Sequence, residues 1–526
     1  MTKALEKRNE RKSIPFGEGE IKFLLSVIDG KKSFRDLDKK QVFISEKPNK
    51  GTLGHVIEES ILGIPKNSFQ NADIQIAYAD KIVPTEVKTT GVHDRELRDD
   101  EQFHAKECVT LTAVSIDTIA DETTWEESHF YEKIAHMLWF FYFYKREKGE
   151  VRVPYEKYDR FPVLGYKFTH LEDFSDDYEK FKSDWNLTRN FIIEANKTAK
   201  PEQRYPMLHS EIKKDLFYID IAPRYKKVNG KVTQEPRFRI KKPYVNLVFQ
   251  RFWKEKNDIN MAPPIEEWEK DCNSFDELEE RLYNLTKCYQ NKTIEQIAKM
   301  LGIPTSSRWP KSITEQIFLK MIRSSSGKIS NIDLFNRIGI IPKTITITQN
   351  GKKTEDTKLF TIDLDEICDD KLRYIDTSYY HYFNDYQFLC VIFEENKKNA
   401  SLGENIFKGI KRLVFPDFQM RKLIREPYKI TCDLIRNHKV VEKYCYKNGK
   451  KIKNPNGTFK TSLNFPKAAK FHIFVRGTGP DSSYKSWILK GKSLDNTGCI
   501  KSYPLQFWIR GSFITELLKD VKYIGS

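Results

Sequence analysis

The stretch Lys50–Thr90, KGTLGHVIEESILGIPKNSFQNADIQIAYADKIVPTEVKTT, decides the fold of the N-terminal half of this chain. Leu53–Leu62 has the apolar spacing of a helix, and the glycine, proline and asparagine of Gly63–Ser68 end it. Two short β-type runs follow, Asp73–Tyr78 and Ile82–Thr89, joined by a turn. The sequence therefore predicts a helix followed by a β-hairpin.

Acidic and basic side chains lie on this helix and hairpin where they can converge. Glu86 and Lys88 are two residues apart on a strand, so both project to the same side, and Asp73 and Glu58 lie on the elements before them. Mg²⁺ prefers carboxylate oxygens, and a neighbouring lysine can orient or deprotonate the attacking water. The group predicts metal-dependent phosphodiester cleavage, although Glu-x-Lys alone is typical of an exposed strand with an ordinary ion pair.

The order of these residues, together with Lys50-Gly51, Gly54 and Thr89, resembles the MutH family with its Sau-type restriction endonucleases. A second block, Thr124-Trp125-Glu126-Glu127-Ser128-His129…Lys133…Leu138-Trp139, resembles that family's T-W-E-x-S-H-x-x-x-K…L-W pattern. The resemblance implies a catalytic set made of Glu58, Asp73, Glu86, Lys88 and Lys133. It also implies that Asp73, Glu86 and Glu58 hold Mg²⁺.

Two departures from the family pattern concern Asp73. Ala72 stands where the motif often has proline, and the gap between Asp73 and Glu86 is longer than usual. A longer hairpin absorbs such an insertion without moving either end. Asp80, six residues before Glu86, remains the competing candidate for the metal ligand.

The region after the hairpin predicts two buried strands, Cys108–Ile116 and Met137–Tyr144, with a helix at Glu126–His136 between them. Lys133 lies on this helix, and only the surrounding block distinguishes it from a surface lysine. His129 and His136 have no second His/Cys pair beside them, so we expect packing or hydrogen-bonding roles rather than metal ligation.

Composition sets the class of protein. The chain has 526 residues, of which 39% are hydrophobic and 13% aromatic, and this predicts several domains with sizeable cores. The net charge of +16 favours a polyanionic partner. Eight cysteines without a C-x-x-C pair indicate reduced thiols. With no apolar run longer than Met137–Tyr144 and no signal-peptide pattern in MTKALEKRNERK, we expect a cytoplasmic protein without a membrane span.

A basic segment rich in aromatic residues runs from Tyr218 to Tyr244. Basic side chains interleaved with aromatics can contact phosphates and base edges, and in the family this region supplies the groove-reading loop and strand. The resemblance therefore implies that Arg224 and Arg239 read bases. It implies phosphate contacts for Lys226, Lys241 and Lys242. An ordinary cationic hairpin is the alternative.

The second half of the chain repeats landmarks of the first half in the same order. The pairs are Ser33–Leu37 with Thr293–Ile297, Leu53–Leu62 with Ile313–Ile322, Val87–Thr89 with Pro342–Thr344, Gly165–Phe174 with Gly409–Phe418, and Phe238–Lys241 with Phe507–Arg510. This order predicts a tandem duplication. The predicted domains are an N-terminal extension (1–30), a catalytic MutH-like domain (31–253), a helical linker (254–290) and a degenerate MutH-like domain (291–526).

The second copy has lost acids at the site. Phe318 replaces Glu58 and Ile341 replaces Glu86, while Lys343 is retained and Asp333 is the candidate counterpart of Asp73. Without a carboxylate cluster a divalent metal has too few hard ligands, so we predict a catalytically inactive copy. Arg476 and Arg510 predict that it still holds DNA. Thr293–Gly302 invites a helix-turn-helix interpretation, but two prolines lie where the recognition helix should follow.

The sequence thus predicts an α/β protein with two tandem restriction-endonuclease-like domains, each a mixed sheet flanked by helices. The predicted activity is that of a type II restriction endonuclease making Mg²⁺-dependent double-strand cuts at a short site. The resemblance alone suggests GATC for that site. The expected partners are double-stranded DNA and a cognate methyltransferase, and dimerisation on DNA is left open. The alternatives are a strand-nicking mismatch-repair-type endonuclease and a DNA-binding protein whose nuclease site has decayed.

Overall fold

In the computed structural model the Lys50–Thr90 stretch contains the predicted helix and hairpin. Helix α4 (Thr52–Val56) continues as a π turn (Ile57–Ile61), and the hairpin consists of β1 (Ile74–Tyr78) and β2 (Lys81–His93). Val56, Ile57, Ile61 and Leu62 are all buried, as the helical apolar spacing of Leu53–Leu62 predicts.

The structure describes residues 15–45, 48–49, 51–64, 72–93, 103–114, 116–145, 147, 153–222, 225–228, 231–234, 236–258, 266–304, 309–351, 355–370, 372–398, 400–416, 420–454, 457–479 and 485–526. These residues form two units. The first unit extends to Glu279 and includes Asp333–Gly339; the second comprises Glu280–Ile332 and Ile340–Ser526. The four domain ranges given above stay a prediction. None of the described helices combines the length and the apolar composition needed to cross a membrane.

The remaining elements of the first unit lie on both sides of the hairpin in sequence. The helices are α1 (Glu18–Leu25), α2 (Phe34–Leu37), α3 (Val42–Ser45), α5 (Ile116–Ile119), α6 (His129–Ile134), α7 (Ser175–Thr198), α8 (Pro201–Ile212) and α9 (Lys242–Lys256). The strands are β3 (His104–Ala105), β4 (Val109–Ala113), β5 (His136–Phe143), β6 (Val163–His170), β7 (Ile219–Ala222), β8 (Tyr225–Val228), β9 (Lys231–Gln234) and β10 (Arg237–Ile240).

Two sheets organise the first unit. The larger has the order β1-β2-β5-β6, with β3 paired to β2; β2 and β5 are parallel, and the other pairs are antiparallel. The smaller has the order β4-β10-β7. The apolar run predicted at Met137–Tyr144 is the central strand β5, and its residues Leu138–Phe141 are fully buried. This mixed α/β architecture with flanking helices is the predicted fold class.

The second unit begins within α10 (Phe275–Thr286). Its helices are α11 (Ile294–Met300), α12 (Ile313–Met321), α14 (Leu364–Cys368), α15 (Ser378–Asn384), α16 (Arg425–Arg436) and α17 (Gly511–Leu517), while α13 (Asp333–Ile338) belongs to the first unit. Its strands are β11 (Ile340–Ile347), β12 (Thr357–Thr361), β13 (Gln387–Glu394), β14 (Ile406–Leu413), β15 (Val440–Tyr444), β16 (Tyr446–Lys447), β17 (Lys450–Lys451), β18 (Thr461–Leu463), β19 (Ile473–Gly477), β20 (Trp487–Lys492), β21 (Cys499–Ser502) and β22 (Leu505–Ile509).

The sheets of the second unit repeat the strand order of the first. β11 pairs with β13 in parallel, as β2 pairs with β5. β13 pairs with β14 in antiparallel fashion, as β5 pairs with β6. The sheet β12-β22-β19 matches β4-β10-β7, and all its pairs are likewise antiparallel. In the described part of the second unit no strand pairs with the other edge of β11, where the first unit has β1.

Small irregularities recur too. Gly165 in β6 and Gly409 in β14 each stand where the register with the central strand shifts by one residue, and both have positive φ, +155° and +130°. A Cβ at Gly165 would lie 2.6 Å from the ring of Phe252, so only glycine fits there without displacement. Ser33 and Thr293 both form capping boxes at the helices predicted to correspond. These shared details support the predicted tandem duplication.

Candidate active site

Glu86 lies at the centre of a cluster of charged side chains in the first unit. Lys88 Nζ donates a hydrogen bond to Glu86 Oε1 at 2.6 Å, and Lys133 Nζ donates to Oε2 at 2.7 Å. The Glu86 side chain is 4% exposed, so both of its oxygens depend on these partners. The structure thus brings Glu86, Lys88 and Lys133 together.

The fold explains why Lys133 reaches a residue so distant in sequence. Helix α6 ends at Ile134, and β5 begins at His136, directly beside β2. Glu86 pairs in register with Met137, so the last turn of α6 lies next to the Glu86 position. Lys133 is 5% exposed and is therefore not a surface lysine, the alternative that its residue type alone favours.

Asp73 immediately precedes β1 and contacts the same part of β2. Its Oδ2 accepts a hydrogen bond of 2.9 Å from the backbone N–H of Val87, between Glu86 and Lys88. Asp80 lies in the turn at the other end of the hairpin, is exposed, and has φ of +61°. The antiparallel pairing separates the two ends of the hairpin, so Asp73 is the aspartate of the cluster and Asp80 is not.

Glu58 enters the cluster from the π turn that extends α4. The turn contains an i to i+5 hydrogen bond from Leu62 N–H to Ile57 O at 3.0 Å. Such single π turns inside helices are frequent at functional sites because the extra residue re-aims the side chains around it. The sequence predicted the helix and the residue, but not this change of helical geometry.

Burial, together with the neighbouring acidic charges, shifts the pKa values of Glu58 and Asp73. Burial raises the pKa of Glu58 to about 7, and the neighbouring Asp73 charge adds to the effect. Burial and the Glu86 charge likewise raise the pKa of Asp73. Both carboxylates are therefore short of cationic compensation in the folded chain, even with two lysines close by.

Lys88 stays a cation despite its burial. Burial lowers its pKa, but attraction to Glu86 and Asp73 outweighs this, so the pKa lies above its usual value. A lysine in this state donates hydrogen bonds and offsets negative charge. Of the two roles considered above, orienting the water fits this environment better than deprotonating it.

The donor set fits a hard divalent cation. Glu58, Asp73 and Glu86 offer carboxylate oxygens, the ligand type that Mg²⁺ prefers, and the raised pKa values of Glu58 and Asp73 show that another positive charge would be favourable there. His136 does not belong to this set. Its Nδ1 lies 2.7 Å from His170 Nδ1, and burial lowers its pKa to about 4.

The Thr124–His129 block places α6 rather than taking part in chemistry. Ser128 caps the helix by accepting a hydrogen bond from Tyr131 N–H at 3.0 Å, and Trp125 is 2% exposed in the core. His129 lies 2.8 Å from Thr112 and 3.3 Å from Glu132, as expected for a hydrogen-bonding residue. Because Lys133 is on the same helix, these contacts fix its position.

Glu132 is a supporting residue that the sequence did not single out. Its Oε1 accepts a hydrogen bond of 3.4 Å from the backbone N–H of Ala72, the residue before Asp73. The helix that carries Lys133 thus also contacts the segment that carries Asp73. Its spacing of three residues from His129 was the available signal, because residues three apart share a helix face.

The DNA-contact candidates of the first unit divide into three groups. Arg224 lies outside the described residues, and only the backbone of Lys226, in β8, is described. Arg239 is 6% exposed and pairs with Asp220, which is opposite it in β7; Lys241 is 2% exposed and donates to Leu216 O. This placement favours a fold-stabilising role for both. Lys242 is half-buried at the start of α9.

In the second unit Arg476 lies within β19, and Arg510 directly follows β22. The Arg476 side chain is 47% exposed, lies over Trp508 at 4.8 Å, and is 3.4 Å from Asp356. Arg510 is half-buried at the start of α17. The DNA-binding role of Arg476 and Arg510 stays a prediction.

Phe318 and Ile341 stand at the positions of the second unit that are predicted to correspond to Glu58 and Glu86. Phe318 is fully buried in α12, and Lys343 Nζ lies over the ring of Phe388 at 5.8 Å. Asp333 was expected to correspond to Asp73, and this correspondence is wrong. Asp333 starts α13, pairs with Arg337 at 2.9 Å and belongs to the first unit. In the described residues no strand equivalent to β1 precedes β11, so Asp333 does not have the position that Asp73 has before β1.

Comparison with known proteins agrees with this site. Residues 62–163 match the family model of the DNA mismatch repair enzyme MutH. The matched span contains Asp73, Glu86, Lys88 and Lys133, and begins four residues after Glu58. No curated protein matches the chain. The match and the geometry together support a MutH-like nuclease domain in the first unit.

Proposed function

We propose that this chain is a Mg²⁺-dependent, sequence-specific DNA endonuclease of the restriction type, which makes double-strand cuts at a short site, GATC. One observation carries the proposal: three carboxylates and two lysines, from four separate elements, meet around Glu86 in a domain that resembles a nuclease. The chain's net charge of +16 supports a polyanionic substrate.

The residues have distinct roles in the proposed reaction. Asp73 and Glu86, supported by Glu58, would hold the metal, which when bound polarises the scissile phosphate and lowers the pKa of water. Lys88 orients the attacking water by hydrogen bonding and keeps its positive charge beside Glu86. Lys133 stabilises the negative charge that grows on the phosphate. The buried surroundings make both lysine charges more effective than they would be in bulk water.

We further propose that the second unit is an inactive copy that binds DNA and influences the first. Its repeated strand order and its apolar Phe318 support this, since the fold persists where the carboxylates do not. If it binds the same sequence as the first unit, a plasmid with one site should be cut more slowly than a plasmid with two. A host carrying such an enzyme would need a cognate methyltransferase to protect its own sites.

Strand nicking is the second candidate, because the matched family model describes a mismatch repair enzyme. The products distinguish the two activities. A restriction enzyme converts supercoiled plasmid to linear DNA with paired cut positions, whereas a nicking enzyme stops at the open circle.

The test is digestion of unmethylated plasmid with Mg²⁺ or with EDTA, followed by sequencing of the cut ends. We expect discrete ends at GATC that depend on Mg²⁺. Asp73→Asn should abolish them, and Asp80→Asn, which changes the exposed aspartate at the other end of the same hairpin, should not. Discrete ends at another sequence would support the endonuclease activity and contradict recognition of GATC. Tight DNA binding without any cleavage would reject the enzyme.

A further inference from the structure

Most of the chain's surplus positive charge lies in one part of the second unit. Residues 440–504 contain 13 Lys and Arg but only 3 Asp and Glu, a net charge of +10 in a chain whose total is +16. A concentration of one sign of charge in one-eighth of the sequence creates a local field that attracts the opposite charge. Its distribution on the surface decides what it can bind.

Strands β15, β18, β20 and β21 form a four-stranded sheet in this region, in the order β18-β15-β20-β21. Alternation along β20 and β21 buries Leu489 and Ile500 and exposes Lys490, Lys492 and Lys501. Successive residues of a strand point to opposite faces, so the three lysines share one face.

The face continues onto β15. Val441 pairs with Lys492, so Lys443, two residues further along, lies on the same side and is also exposed. We call Lys443, Lys490, Lys492 and Lys501 the lysine face. The other residues of this face in the described strands are uncharged, namely Val441, Ser462, Ile488 and Cys499.

No ion pair involves the lysine face among the residues that the structure describes. The sheet thus presents four like charges, on neighbouring strands about 5 Å apart, without acidic residues between them. Ile488 is 64% exposed in the middle of this face. A polyanion would provide the counter-charges that the sheet itself lacks.

A two-stranded ribbon extends the same basic surface. β16 and β17 follow β15 directly and are joined by a tight turn at Asn448 and Gly449, both with positive φ. Lys447 and Lys450 are exposed on this ribbon, while Lys451 lies over the Tyr444 ring at 3.8 Å.

The position of β20 and β21 in the fold indicates the class of polyanion. This hairpin connects β19 to β22, as the basic β8–β9 hairpin connects β7 to β10 in the first unit. The family resemblance implies that Arg224 and Lys226, at the first-unit hairpin, contact DNA. A lysine-rich hairpin at the equivalent place points to the same partner.

We propose that the lysine face binds the sugar-phosphate backbone of duplex DNA independently of base sequence. Lysine is a compact point charge without the planar fork that arginine uses to read guanine, and the face carries no asparagine, glutamine or arginine. Contacts of this kind provide affinity and salt dependence but no discrimination between sequences. The inference relies on the proposed function only in taking DNA as the partner.

The experiment measures binding of the full-length chain to short DNA duplexes in EDTA, over a range of salt concentrations. The test variant is Lys443→Ala/Lys490→Ala/Lys492→Ala/Lys501→Ala. The control variant, Lys320→Ala/Lys328→Ala/Lys519→Ala/Lys522→Ala, removes four exposed lysines of the same unit from other elements. Each duplex is made with and without GATC, and an RNA duplex of equal length is included.

We expect the slope of log K against log [salt] to fall by about 0.9 for each lysine that contacts a phosphate, or about 3.6 for all four. The decrease in slope should be equal for duplexes with and without GATC. The control variant should change the slope by less than about 1, the value for one phosphate contact. An unchanged slope, an equal change in the control, a loss confined to GATC duplexes, or a loss confined to RNA would each overturn the proposal. Binding is measured without Mg²⁺, so absence of cleavage would reject the nuclease and leave this result intact.

Discussion

Glu58 gives the most direct test of the electrostatics of the site, because the fold raises its pKa from 4.5 to about 7. An acid whose pKa is raised by folding binds its proton more tightly in the folded state. It therefore has little effect on stability well below pH 4.5, and it destabilises the fold increasingly as pH rises from 4.5 to 7. Above pH 7 the penalty is constant, at about 3 kcal/mol for a shift of this size.

Glu58→Gln removes the charge and keeps the shape of the side chain. In EDTA at pH 8 we expect the variant to be more stable than the wild type by about 3 kcal/mol, and at pH 5 by about 1 kcal/mol or less. Urea unfolding followed by pulsed hydrogen exchange on peptides from Met137–Phe143 measures the first unit specifically, since this strand lies beside the site. Glu59→Gln, on the same π turn, is the matched control.

If the stability gained by Glu58→Gln does not depend on pH, the difference between the variant and the wild type is due to packing and not to charge. A loss of stability at pH 8 would refute the reasoning outright. Mg²⁺ should narrow this difference, because a cation bound only by the folded state stabilises it by about 2.7 kcal/mol at a hundred times its Kd. The wild type should gain this stabilisation and Glu58→Gln should gain less.

Three further predictions follow from contacts in the two units. Lys88→Ala should reduce cleavage at least about 100-fold, because Lys88 donates to Glu86 in the carboxylate cluster, while Lys343→Ala, in the unit proposed to be inactive, leaves cleavage unchanged; single-turnover cleavage measures both. Lys133→Met should reduce cleavage by about 10² to 10³ with little loss of DNA affinity in EDTA, and an equal loss of both would assign Lys133 to binding. Arg239→Met should cost about 3–5 kcal/mol of stability by leaving Asp220 buried without its partner, and Arg239→Met/Asp220→Leu should recover most of it; relaxed sequence specificity in the folded single variant would instead identify Arg239 as a base reader.

Local periodicity was sufficient to predict the centre of the site. Glu86 and Lys88 share a face because a strand has a period of two, and the apolar side of Leu53–Leu62 follows from the helical period. Asp73 could not be separated from Asp80 in this way, because both are acids near the same strand. Only the antiparallel register, which places one at each end of the hairpin, distinguishes them.

Charge patterns were a weaker guide where a partner comes from another strand. Arg239 lies in a basic, aromatic segment, and composition alone assigns it to DNA. The pairing of β10 with β7 places Asp220 directly opposite, and the buried pair that results has no signature in the local sequence. The lysine face is the converse case: its four residues are spread over 59 positions of the sequence, from 443 to 501, and only the sheet brings them together.

The two units together separate what the fold needs from what the chemistry needs. Both retain the parallel pair that holds Lys88 or Lys343, the antiparallel neighbour with its glycine, and the capped helix before it. Among its described residues the second unit has no strand paired where the first unit has β1, and Phe318, at the position predicted to correspond to Glu58, is buried. The sheet thus forms in the second unit without these carboxylates, whereas in the first unit burial raises the pKa values of Glu58 and Asp73, so that their ionisation opposes folding at neutral pH. Their retention in one unit alone is what a catalytic role in that unit requires, because stability would select against them in both.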